Sequence, residues 1–570
     1  MQGNFKVVAV STDILCTQDQ YGGLDAAQNS HTALTAWKND RAIAQIAILS
    51  GDQALRGLSV SAGAFAGQAG TFPGAVSCAF IRETKAFVGN GKQDNGTRGS
   101  YPDVIWSDEP VDMDAHSVQS VWVTFSVPKN TAAGVYTGEI TLALTETGER
   151  QAVAYTLEVL DLTAPDPQDY AFDIELWQYP YRVADYYGVE PFSERHFSIL
   201  RPHLEKYRQM GGHAITASIV EEPWNGQTYG RYPSMIKWRR RADRSFDFDF
   251  SQFDRWVEFC HSIGLGDKIV CYSLIPWGNR IRYYDEKKKK ERCIAPRTGT
   301  RKYKKVWRQF LQALVDHADE KGWFDDLYIG IDERAAMKKA YDLIDTVRNR
   351  DGKLLKKSAA MNHFNAKYFP LIDRMASVSV GSEPLKGSMA DYKQLCARRA
   401  GNPDLRTTVY TCVGHFPNSF TYSMPGESYW TIFFSAAMGA NGYLRWAYDA
   451  WVKDPLRDTT HTSFESGDCF LIYPDEADAA DPTPRTSVRL EKLAEGMRDI
   501  NKLLMLAGQS GALREQTQRL LETVRCDYTQ NPDKVAVAVA DEKTRAQLPE
   551  DMDRIRGELD AMARAYLAEK

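Results

Sequence analysis

Over roughly the first 160 residues apolar and polar positions alternate in short stretches; beyond them apolar runs alternate with helical patterns. The early runs FKVVAVS, AIAQIAIL, QSVWVTFSVP, GVYTGEITLAL and QAVAYTLEVLDL are broken by Gly, Asn and Pro, which predicts a β-sandwich of half-buried strands. Val121 to Leu144 alternates around PKNTAAG, predicting an antiparallel hairpin. The stretch VGNGKQDNGTRGSYPD (88–103) reads as a long loop, either a plain surface loop or one leaning over a neighbouring pocket. Ala164, Pro165, Asp166 and Pro167 then form a linker.

After the linker eight β-type runs can be counted: FDIELW (172–177), HAITAS (213–218), KIVCYS (268–273), DLYIGI (326–331), KKSAAM (356–361), MASVSV (375–380), RTTVYT (406–411) and NGYLRW (441–446). Between them apolar residues recur at helical spacing, as in Phe253, Trp256, Val257, Cys260 and in Val306, Phe310, Leu314. Strands alternating with helices predict an α/β fold, a (β/α)8 barrel. The expected domains are an accessory β-sandwich (1–165), a barrel (166–508) closed by a helix from about 486 to 506, and a mainly helical extension (509–570) interrupted by KVAVAVA at 534–540. That extension packs on the barrel or mediates homo-oligomer formation.

Composition narrows the function. The 570 residues are 43% hydrophobic and 25% charged, with a net charge of −5, so the basic excess that phosphate backbones demand is missing and nucleic acid is set aside. The nine cysteines are scattered and never spaced C-x-x-C, which encodes neither a disulfide framework nor a structural zinc site. Met1 to Ser11 lacks a signal-peptide pattern, and no run reaches the roughly 20 apolar residues of a membrane helix. As written the sequence reads as cytoplasmic, or as secreted or periplasmic if a leader has been removed, without membrane insertion. The 13 tryptophans and 28 tyrosines suit sugar faces.

The sharpest chemical feature is Asp332 and Glu333, which end the apolar run Leu327 to Ile331 in DDLYIGIDERAAMKKA. In a barrel frame they stand at the C-terminal rim of strand four, where this fold places catalytic groups; the plain alternative is a cap on the next helix. Ordinary retaining glycosidases hold two carboxyl groups about 5 to 5.5 Å apart across the sugar, and adjacent residues cannot easily bracket a ring. They can work from one side if the substrate's 2-acetamido carbonyl is the nucleophile and gives an oxazolinium intermediate. Two acids this close cannot both ionise freely, so one is kept protonated. Glu333, with the longer reach, is read as general acid/base, and Asp332 as the group that holds the acetamido N–H.

The stretch GYLRWAYDAWVKDPLRDTTHTSFESGDCFLIYP, followed by SVRLEKLAEGMRDI, resembles the C-terminal part of the barrel in glycoside hydrolase family 123 and the related family of unknown-function domain 4091. QSVWVTFSVPKNTAAGVYTGEITL resembles the accessory sandwich of those proteins, and IDER matches the place of their paired acids. The resemblance covers most of residues 100–505 and is weak outside them. It implies a retaining β-N-acetylgalactosaminidase acting by substrate-assisted catalysis on glycans with terminal β-linked N-acetylgalactosamine, with Asp332 and Glu333 in the two roles above. Acid, acetamido group and water suffice for that hydrolysis, so no metal or organic cofactor is expected.

Further substrate contacts are expected at strand ends. Trp177 and Arg182 follow strand one, Trp224 strand two, and Trp277 and Asn279 strand three; Asn362 and His363 end strand five, and Glu383 lies beyond strand six. Tyr410, near the end of strand seven, is expected to donate to the acetamido carbonyl. Trp446, Tyr448 and Asp449 follow strand eight as aromatic floor and hydroxyl ligand. Each has a plain reading as packing or solvent-facing polarity. Lys287 to Lys290 reads as a solvated loop. A rival keeps the fold but uses a distant carboxylate, Glu383 or Asp449, as nucleophile, and a second is a non-catalytic glycan-binding protein.

Overall fold

The computed structural model describes residues 4–89, 96–526 and 539–570. Its N-terminal part contains two sheets that share one core. One carries Phe5–Val10, Asp40–Ser50, Val118–Val127, Val76–Val88 and Thr97–Ser107; the other carries Ala33–Lys38, Arg150–Thr163, Gly134–Leu144 and Leu55–Ala62. Ile46, Val121, Val123 and Phe125 of the first pack with Val60, Ile140, Leu142 and Tyr155 of the second.

Two sequence expectations fail here. Val118–Val127 pairs with Asp40–Ser50 and Val76–Val88, whereas Gly134–Leu144 pairs with Arg150–Thr163 and Leu55–Ala62, so PKNTAAG crosses between sheets and closes no hairpin. Alternation records a buried face and leaves the hydrogen-bond partner open, because both strands bury one face in the same core. The expected loop 88–103 is strand up to Val88 and again from Thr97, with 90–95 outside the described residues. KVAVAVA likewise lies outside them as far as residue 538.

The second part is an eight-stranded, wholly parallel near-barrel with helices between its strands. Numbered along the chain, its strands are Asp173–Leu176, Ala214–Ser218, Lys268–Tyr272, Leu327–Asp332, Lys356–Met361, Ser377–Gly381, Arg406–Tyr410 and Gly442–Arg445. Their spatial order is one-eight-seven-six-five-four-three-two. At the seam between strands one and two a side-chain amide takes the place of a ladder. Gln178, 1% exposed, accepts from Thr216 N at 2.9 Å and donates to Ala214 O at 3.2 Å. The helices bury the expected stripes: Phe253, Trp256, Val257 and Cys260 in Ser251–Ser262, and Val306, Phe310 and Leu314 in Arg301–Lys321.

A four-stranded sheet built from Lys237–Arg240, Phe246–Asp249, Ile281–Asp285 and Lys290–Ile294 is inserted after strands two and three. Lys287 to Lys289 are therefore the exposed tip of a hairpin, with Lys290 opening its second strand. The strand was hidden by a polar sequence, since only Ile281, Tyr283 and Asp285 of the hairpin are buried.

The C-terminal helix Glu542–Ala568 lays Leu548, Met552, Ile555, Leu559 and Met562 into the same core as the near-barrel. Each such side chain contributes about 1.5–3 kcal/mol, which fixes the tail in place. The N-terminal sheets are tied on as firmly. Thr486–Ser487 adds to the edge of Thr97–Ser107. Next to it Arg489 is enclosed: it pairs with Asp103 at 2.8 Å and donates to the carbonyls of Ser419, Gly467 and Phe470.

Arg489→Met leaves Asp103 buried and uncompensated, and is expected to cost about 3–5 kcal/mol. The double variant with Asp103→Leu is expected to recover most of that in urea unfolding. Equal losses for single and double variants would refute a role for charge balance.

Candidate active site

Strand four, LYIGID, is apolar because both its faces lie in the interior. Gly330 is required by close approach, since a Cβ there would stand 2.7 Å from the Tyr272 ring on strand three. The strand ends at Asp332. Glu333 continues the ladder by one bond, its N–H donating to Ala360 O at 3.0 Å, and then turns with φ +46°. A non-glycine residue in that region carries strain of the sort found at functional sites. The turn sends the two carboxylates to different neighbours. Asp332 Oδ2 accepts from the Trp277 indole N–H at 2.8 Å, on the strand-three side. Glu333 accepts from the Tyr410 hydroxyl and from Asn362 Nδ2 at 3.2 Å, on the side of strands five and seven.

Between them opens a cavity of about 210 Å³ lined by Trp177, Gln227, Trp277, Tyr410, Cys412, Trp446, Phe464 and the acid pair. That is room for about seven waters, the scale of one sugar ring. Larger hollows exist elsewhere, such as one of about 700 Å³ along the inserted sheet, but this one holds the carboxylates. Its aromatic walls dictate the electrostatics. Burial first, and the Glu333 charge second, push the Asp332 carboxyl up to about 7, against the pull of the Trp277 N–H and Arg334. Burial also raises Glu333, opposed by its bonds to Tyr410 and Asn362 and by nearby His363. The pair thus holds one shared proton to near neutral pH.

The structure brings together Trp177, Trp277, Asp332, Glu333, Asn362, His363, Tyr410 and Trp446. Tyr410 gives its hydroxyl to Glu333 rather than standing free for an acetamido carbonyl. Other expected contacts lie off the cavity. Arg182 is buried and gives its guanidinium to Asp185 and to the carbonyls of Trp451 and Val452, both at 2.7 Å. Trp224 supports the floor from behind, its ring 5.6 Å from that of Trp177. Tyr448 is fully buried with its hydroxyl on His203 O. Asp449 is fully buried and accepts from Tyr179 N at 2.7 Å. Asn279 is a turn residue with φ +49°, its N–H on Pro276 O, and Glu383 sits in the short helix Ser382–Lys386; neither lines the cavity. A place after a strand sets the rim, but the direction of the following turn decides which side chains face in.

Sequence reasoning passed over Gln227, Cys412, Val413 and Phe464 in the lining, and Arg334, whose guanidinium lies 5.0 Å from the Trp277 ring centre. Loop residues such as Gln227 leave no periodic signal. Arg334, next to the acid pair in IDER, did offer one.

A family model described as "Glycoside hydrolase 123, catalytic domain" matches residues 177–506, and one described as "Glycoside hydrolase 123 N-terminal domain" matches residues 9–144. Among solved structures, a family 123 glycoside hydrolase from Clostridium perfringens, studied for glycolipid glycan hydrolysis, is 32% identical with a TM-score of 0.95 over 99% of each chain. An endo-β1,6-glucanase is 10% identical (TM-score 0.36, 62% of this chain and 82% of its own), and a Bacteroides uniformis β-glucuronidase is 11% identical (TM-score 0.30, 81% and 52%). Likenesses that low carry no argument. Comparison with curated proteins gives no match.

The Trp277 N–H favours ionised Asp332, so its removal raises the carboxyl further. Trp277→Phe is expected to move the Asp332 titration, followed by carboxyl 13C shifts, up by about one pH unit. A midpoint that stays or falls would contradict the assigned bond.

Proposed function

Since the chain belongs to glycoside hydrolase family 123 and is a glycoside hydrolase acting on a glycan, we propose that it is a retaining exo-enzyme releasing terminal β-linked N-acetylgalactosamine by substrate-assisted catalysis. Its fold is read as a (β/α)8 barrel whose seam Gln178 closes. The observation that carries the reading is the splayed acid pair: neighbouring residues, one bonded towards strand three and the other towards strands five and seven, at the mouth of a one-ring aromatic cavity.

In this reading Asp332 receives the acetamido N–H. A second donor there, beside Trp277, favours its ionised form and leaves the shared proton on Glu333. Ionised Asp332 offsets the positive charge that develops on the nitrogen as the carbonyl oxygen attacks the anomeric carbon. Glu333 gives its proton to the leaving oxygen, and then takes one from the water that opens the oxazolinium ion. Tyr410 serves both forms of Glu333, because a phenolic hydroxyl can donate or accept. No distant nucleophile is called for: Asp449 is enclosed behind the wall and Glu383 lies off it. The Clostridium perfringens relative supports a glycolipid glycan as substrate class.

Glu333→Gln is expected to lower kcat/KM about 10²–10⁴-fold on glycosides with poor leaving groups and to be largely spared on dinitrophenyl N-acetyl-β-galactosaminide. Asp332→Asn is expected to lose about 10²–10³-fold whatever the leaving group. Losses for Glu333→Gln that ignore leaving-group pKa would remove the acid role, and a wild type inert towards every aryl β-N-acetylhexosaminide would overturn the function.

A further inference from the structure

We propose that Glu175 and Asp468 are positioning residues of this glycosidase, each a buried carboxylate that ties a cavity tryptophan to a buried cation. This rests on the catalytic reading of the cavity. Glu175 interrupts strand one with a charge inside the near-barrel. Its Oε2 pairs with Lys268 of strand three at 2.5 Å, and its Oε1 accepts the indole N–H of Trp177 at 3.0 Å. Asp468, in the loop after strand eight, repeats the arrangement: Oδ1 pairs with Arg445 at 2.8 Å and Oδ2 accepts the indole N–H of Trp446 at 3.3 Å. All four charged groups are at most 5% exposed.

A buried ion pair alone would be ordinary packing, and the tryptophans supply the distinction. All three that line the cavity give their N–H to a carboxylate: Trp177 to Glu175, Trp446 to Asp468, and Trp277 to Asp332 itself. Trp238, Trp256, Trp430 and Trp451, which do not line it, give theirs to backbone carbonyls. Hydrogen bonds to an ionised acceptor are roughly twice as strong as neutral ones, so the carboxylates hold the cavity rings where a carbonyl would hold them loosely. The cations hold the carboxylates in turn. The result is a fixed aromatic wall against which the ring and its acetamido arm meet Asp332 and Glu333, and misplacement by about 1 Å is enough to cost about 10²-fold in rate.

The test is a double-mutant cycle read kinetically and by NMR. On p-nitrophenyl N-acetyl-β-galactosaminide, Asp468→Asn is expected to lower kcat/KM about 10- to 100-fold, mostly in kcat, yet to add less than about threefold on top of Trp446→Phe. Glu175→Gln/Lys268→Met, which removes both charges together and so spares the fold an unpaired one, is expected to behave in the same way against Trp177→Phe. Independent, multiplying losses in both cycles, with melting temperatures unchanged, would overturn the proposal. The 15N-indole signals of Trp446 and Trp177 are expected to move in the respective carboxylate variants. Signals that stay in place would overturn it whatever the activity, whereas a wild type without turnover would defeat the catalytic reading on which it rests even if the signals moved, so the two failures are told apart.

Discussion

Two carboxylates placed side by side and partly withdrawn from water cannot both ionise freely, and the site is organised around that constraint. Asp332 and Glu333 leave strand four together, enclosed by Trp177, Trp277, Tyr410, Trp446 and Phe464. Burial raises both and the charge of Glu333 raises Asp332 further. Asp332 thus keeps a proton to near neutrality, and the reaction proposed for the site needs one proton within the pair. The strained turn at Glu333 serves the same end, since it separates the two groups without separating the residues.

The remainder of the molecule supports that arrangement in layers. Trp224 stands behind Trp177, and Arg182 ties down the carbonyls after strand eight. Beyond them Arg489 joins Asp103 of the N-terminal sheets to the carbonyls of Ser419, Gly467 and Phe470, close in sequence to Asp468, the residue that holds Trp446. The N-terminal sheets and the C-terminal helix share buried ion pairs with the helix Val488–Ala507: Asp13 meets Lys492 at 2.6 Å and Arg556 at 2.8 Å. A removed partner in such a pair leaves a charge without water or counter-ion, so the parts of the chain hold one another in register.

Much of this was legible in the sequence because burial on both faces writes long apolar runs. All eight near-barrel strands coincide with β-type runs, of which KKSAAM and RTTVYT are at least half polar, and the acid pair was visible because charge interrupts an apolar one. Other features were not legible for equally physical reasons. Val118–Val127 and Gly134–Leu144 each show one buried face, and nothing in the pattern says they face each other across a core rather than pair along an edge. The hairpin carrying Lys287 to Lys289 is polar on its outer face, so it read as loop. Arg182, Tyr448 and Asp449 stand at the right ends of strands but turn inward to satisfy backbone groups or the core. Glu175 did leave a signal, a lone charge within FDIELW, whereas Asp468 sits in a loop without periodicity.

The central claim is that the acetamido oxygen of the substrate, rather than a protein group, attacks the anomeric carbon. The direct measurement is kcat/KM for a series of aryl β-galactosaminides whose N-acetyl group carries zero, one, two or three fluorines, each of which weakens that oxygen as a nucleophile. The account predicts a steep, monotonic fall in rate along the series. A rate that stays flat from acetyl to trifluoroacetyl would contradict it.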